Sequence, residues 1–221
     1  MSKINMDTEN INISMVSLSQ VDSNLKSLLL IHYATEKVID EYLDLTYHDK
    51  DELKEIGANT YRYKDRMTEF YILGLSKTIE DLLWLLKDIN NLKLRFWRDL
   101  SDLQYFKYAK LIRYLSNVIK HHGGMIVEES CSDARSLITD YGFHDYQSVT
   151  DWDNNDKFPF RFPLYVFYIQ QFCYHVINNF VSHAFPVPII PDIKGEDFIS
   201  NHLLSDFMEI LGKNRMQNTP T

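Results

Sequence analysis

The 221 residues are 45% hydrophobic and 14% aromatic, enough apolar material for one buried core, and 7 Gly and 6 Pro set against 14 Tyr and 13 Phe argue against a turn-rich sandwich or barrel. A formal charge of -8 and a pI near 5.4 argue against a general polyanion-coating surface, although Lys107, Lys110, Arg113 and Lys120 share one predicted helix. Two cysteines, Cys131 and Cys173, lack any CxxC partner, so neither a disulfide framework nor a zinc finger is predicted; reduced thiols and a cytoplasmic location are expected.

Residues 1–20 are rich in Asn, Ser and Thr with little apolar periodicity, and read as a flexible N-terminal arm without an apolar signal core. Asp22 and Ser23 are good cap residues and predict a first helix to about Thr46, its stripe formed by Leu25, Leu28, Leu29, His32, Val38, Ile39, Tyr42 and Leu43. His32 on that stripe reads as a satisfied core histidine. The acidic opening DKDELKE suits a helix N-terminus and begins a second helical region over about 51–90, as one long bent helix or two joined near 57–60. Met67, Phe70, Tyr71, Ile79, Leu82, Leu83 and Leu86 form its apolar stripe, and the group Tyr61, Tyr63, Phe70 and Tyr71 reads as core rather than as a base-stacking platform.

Asn90 and Asn91 break this pattern, and Ser101 is the expected cap of a helix over 101–122, closed by Gly123 and Gly124. MIVEE then reads as a short strand or extended piece, and Ser132 to Tyr141 as a short helix ended by Gly142. From 144 to 162 the chain is a polar loop; its DWDNND run lacks the glycine and distal glutamate of a calcium loop. Pro163 suits the first turn of a helix to about Ala184, and Gln170, Gln171, His175, Asn178 and Asn179 within the apolar run 158–185 mark a buried helix rather than a membrane span. Pro186, Pro188 and Pro191 predict an extended link, followed by a last helix with Phe198, Leu203, Leu204, Phe207 and Ile210 that ends at Gly212, and by a frayed tail over 213–221. The expected architecture is all-α: one domain over 21–212, a bundle of five or six helices with at most one very short β-hairpin.

Several chemistries have no motif here. There is no glycine-rich phosphate loop, dinucleotide fingerprint, GxSxG elbow, HExxH helix or Glu-x-x-His step, so neither a metal nor another cofactor is predicted. The segment KLIRYLSNVIKHHGG, residues 110–124, is the one place where polar residues cluster beyond the needs of a bundle. Asn117 and His121 are four residues apart and share a helix face, so the amide can orient an imidazole or share a phosphate oxygen with it. Histidine moves protons near neutral pH, and Lys120 or Arg113 can stabilise charge on a phosphate, a set suited to metal-free RNA cleavage. A structural reading stands beside it: Lys120, His121 and His122 occupy a last helical turn, where cations complement the dipole whatever the function. A third reading, a helical bundle that binds a small molecule, predicts an enclosed pocket lined by Tyr and Phe.

SNVIKHHGG, with MIVEESCS after it, resembles the signature of the HEPN superfamily, all-helical prokaryotic proteins whose motif helix carries Arg, a polar residue that is usually Asn, and then His. The likeness is strongest over 106–143. It implies a homodimer whose paired motifs form an RNA-cutting cleft in toxin-antitoxin, stress or antiphage systems. Carried over, His121 is the catalytic histidine, Asn117 its polar partner, and Arg113 or Lys120 the charge stabiliser, with His122 and Ser116 beside them as substrate contacts. The motif is atypical, because Ser116 stands where the family's Arg is expected. Arg113 lies three residues earlier, about 80° around the helix from His121 and about 12 Å along it. A fold member with such a motif is also expected as a catalytically degenerate module that binds a partner protein or nucleic acid. No membrane partner is expected.

Overall fold

A computed structural model describes residues 2–43, 50–151 and 161–181. The proline link, the last predicted helix, the tail over 213–221 and nearly all of DWDNND lie outside them. The described residues form an all-α bundle of six helices, as the periodicity predicts, with a two-stranded antiparallel ribbon beside it.

α1 (Ser2–Leu43) is one helix and does not start at the Asp22 and Ser23 cap. Ser17 and Val21 are buried and Leu18 packs against the core, so the contacts that stabilise the helix continue N-terminal to the expected start. Asp22 instead bonds across to the last described helix. α2 (Lys50–Asn90) is a single helix of 41 residues, uninterrupted at 57–60. It closes where Asn91 takes a left-handed φ of 51°, letting the Leu92 amide donate to the Leu86 carbonyl at 3.2 Å. Burial is concentrated in its C-terminal half, at Tyr71, Ile72, Leu75, Ile79, Leu82 and Leu86. Tyr61, Tyr63 and Phe70 are exposed, so the expectation that they are core residues fails: helical spacing predicts a face, and only packing by neighbours makes that face an interior.

α3 (Phe96–Asp99) is a single turn that tucks Phe96 into the core. α4 (Phe106–His122) begins five residues later than the Ser101 cap predicts. Tyr105 precedes it in a left-handed conformation (φ 64°), its ring packed among Tyr108, Phe167, Tyr168 and His175, so aromatic packing sets the start in place of a side-chain cap. Gly123 (φ 60°) and Gly124 (φ 81°) end the helix, both amides turning back to Val118. At Gly124 a Cβ would also sit 3.1 Å from Glu69 Oε1, so both glycines of the motif have a steric reason.

β1 (Met125–Ile126) pairs antiparallel with β2 (Gln147–Ser148) in the register Met125 to Ser148 and Ile126 to Gln147. The strands enclose α5 (Ser132–Tyr141), so this is a ribbon closed over a helix and not a tight hairpin. Cys131 caps α5, its Sγ accepting from the Ala134 amide at 3.4 Å. α6 (Phe162–Phe180) starts with Pro163 in its first turn and is buried nearly all round, which accounts for its long apolar run. Among the described residues no helix is long and apolar enough to cross a membrane. α4 lies against α2, α5 and α6, while α1 spans α2 and α6. Asp22 clamps that last pair: its Oδ1 accepts from Gln170 Nε2 at 2.9 Å and from the Tyr174 hydroxyl at 2.7 Å.

Candidate functional site on α4

The side of α4 away from the core carries the polar residues of the sequence motif other than Ser116, and Lys110, Arg113 and Lys120 each meet a carboxylate. Lys110 Nζ lies 3.2 Å from Asp140 Oδ2 on α5. Arg113 Nη1 and Lys120 Nζ, seven residues and nearly two turns apart, converge on the same Glu80 Oε1 of α2, at 3.8 and 3.4 Å. The Arg113 guanidinium also sits 4.7 Å from the centre of the Phe96 ring. These pairs are partly exposed and each contributes at most about 1 kcal/mol to stability; Asp140 and Glu80 offset part of the charge of the basic stripe, while Lys107 lies over the Tyr108 ring.

Asn117 is half-buried and donates from Nδ2 to Asp133 Oδ2 at 2.7 Å, so α5 fixes its amide. Ser116 is fully buried, its hydroxyl without a hydrogen-bond partner among the described residues. It offers no surface for a substrate to touch, because its position on the helix points to the core side. His121 is exposed and His122 half-buried, and neither has a hydrogen bond or ion pair with another described residue. The structure therefore brings Arg113 and Lys120 together through Glu80, ties Asn117 to α5, and leaves His121 in solvent one turn beyond. Met125 on β1 and Tyr146 just before β2, 41% and 73% exposed, lie beyond this end of the helix.

Glu80, Asp133 and Asp140 complete this surface, and sequence reasoning did not reach them. They lie 40, 16 and 30 residues from the α4 groups they meet, with no local spacing to signal the pairing. No group of three His, Cys, Asp or Glu side chains that could hold a metal occurs among the described residues.

His32 departs from its expected role as a satisfied core histidine. Its Nδ1 is buried without a hydrogen-bond partner among the described residues, and its ring lies against Tyr33, Tyr71 and Phe162 at 5.3, 5.3 and 5.0 Å. Burial holds the imidazole below its ordinary pKa of 6.5, with Glu36 pulling it the other way. The unfolded chain then takes up the proton more readily, so this contribution to stability is complete above 6.5 and is lost as pH falls below that value. Urea midpoints measured at about pH 7.5 and about pH 5.5 should show a loss on acidification that is smaller in His32→Phe.

The fold and site together define an all-α bundle whose motif helix has Arg113 and Lys120 drawn to one carboxylate of α2. Neither protein-family models, nor curated proteins, nor solved structures give a match to this chain.

Proposed function

We propose that this chain is an HEPN-like helical module of a prokaryotic stress or defence system, catalytically degenerate, which acts as a homodimer by binding a partner protein through the exposed end of α4. One observation carries the reading: Arg113 and Lys120, the two cations available to a phosphate beside His121, share the carboxylate of Glu80. Cleavage of RNA by a histidine needs a positive group free to meet the charge that develops on phosphorus. Here both cations are drawn to Glu80, away from a phosphate beside His121, and the Asn117 amide is held by Asp133. An overall charge of -8 disfavours RNA further, whereas exposed Met125 and Tyr146 next to the helix end suit a protein contact.

A second reading keeps the enzyme. His121 is solvent-exposed and one turn from Asn117, placed to accept the 2'-hydroxyl proton while Arg113 or Lys120 leaves Glu80 for the phosphate. Incubation of the purified chain with mixed RNA in excess chelator, in parallel with His121→Ala, separates the two. Intact RNA in both reactions is expected. Cutting by the unaltered chain that His121→Ala abolishes would establish the metal-independent endoribonuclease instead.

A further inference from the structure

Between α1 and α2, under the first turn of α6 and apart from the α4 surface, lies a half-open pocket of about 160 Å3. Its apolar wall includes Ile39, Met67 and Tyr71, whose ring stacks on that of Phe162 at 4.2 Å and 25°. Two opposite charges, Glu36 on α1 and Lys64 on α2, line the same space. Among the described residues neither is ion-paired with the other or with a third group. His32 lines the pocket beside them, and Glu36 lies close enough to act on its charge.

We propose that this pocket binds a free apolar α-amino acid, the ammonium group on Glu36, the carboxylate on Lys64, and the side chain against Ile39, Met67 and the Tyr71 and Phe162 rings. A carboxylate and an ammonium that face one cavity without joining each other are the complement of a ligand that carries both charges. A simple anion meets repulsion from Glu36, and a simple cation meets it from Lys64. The volume is close to the roughly 150 Å3 that holds a single benzene ring, which suits one apolar side chain, with the ligand's charged groups at the open side of the pocket. His32, whose charged form burial disfavours, adds a polar wall beside the ammonium position.

Calorimetric titration of the full chain with L-leucine, L-methionine and L-phenylalanine tests this directly. At least one should bind saturably with one molecule per chain, and its N-acetyl and methyl ester forms, each lacking one charge, should bind at least about tenfold more weakly. Glu36→Gln should weaken the free amino acid by about tenfold with the thermal unfolding curve unchanged. The capped ligands on the unaltered chain decide the matter even if that variant unfolds. Absence of binding by all three at millimolar concentration, or equal binding of free and capped forms, would overturn the proposal.

Discussion

Replacing Ser116 with arginine, the residue that the HEPN resemblance expects directly before Asn117, should cost the fold about 4 kcal/mol or more and restore no activity. Ser116 is fully buried on the core side of α4, between the buried Leu115 and Val118 and a half-buried Asn117. An arginine there must either bury a guanidinium with no carboxylate arranged for it or push α4 away from its neighbours. Desolvation of an unpaired charge alone costs several kcal/mol, and overpacking of a filled core adds about 1–3 kcal/mol. Snorkelling along the helix can relieve part of this, but the nearby carboxylates Glu80 and Asp133 are already engaged by Arg113, Lys120 and Asn117. Measured against a total stability of about 5–15 kcal/mol, the variant should show a urea midpoint far below that of the parent or accumulate as insoluble chain. A variant within about 1 kcal/mol of the parent that gained RNA cleavage would contradict both the cost of burial at Ser116 and the degenerate-module reading.

Phe172→Ala should be nearly as costly, at about 3–5 kcal/mol. Phe172 is fully buried in α6 and meets Phe96 at 6.1 Å and Phe106 at 6.2 Å, joining the single turn of α3 and the start of α4 to the innermost helix. Its removal leaves a hole between α6 and the Phe96 and Phe106 rings of α3 and α4, which cannot both move inward, so the cavity persists and the packing energy is lost. Equilibrium unfolding in urea should give a lower midpoint with an unchanged slope. A loss below about 1 kcal/mol would mean that α3 and α4 repack freely, against the rigid placement of the motif helix described above.

Much of the fold was legible in the residues themselves. Helical periodicity, the acidic start of α2, Asn91, Pro163 and the glycines after α4 and α5 set element type and most of the ends, because each acts through local backbone chemistry. Where ends were misread, tertiary contact decided them. Asp22 looked like a cap and is an α1 to α6 clamp, and Tyr105 rather than Ser101 precedes α4 because its ring is held by α6. Tyr61, Tyr63 and Phe70 show the reverse limit, a stripe with suitable spacing and no neighbour to cover it.

The candidate site was legible only in part for the same reason. The segment 110–124 gave the stripe Arg113, Asn117 and Lys120 on one side of a helix. Its chemistry depends on Glu80 and Asp133, which come from other elements, Glu80 drawing in the two cations and Asp133 the Asn117 amide. The pocket at His32 was invisible for a further reason: Glu36 and Lys64 look like ordinary solvated charges until two helices bring them to one cavity.

Binding of fluorescent single-stranded RNA, followed by anisotropy across a salt series, tests most directly whether Glu80 withholds Arg113 and Lys120 from phosphate. The unaltered chain should show no saturable binding near physiological salt, and Glu80→Gln should gain binding whose log affinity falls with log salt at a slope of roughly 1.4, as expected when two freed cations each neutralise one phosphate. Tight RNA binding by the unaltered chain, unchanged in Glu80→Gln, would contradict the account.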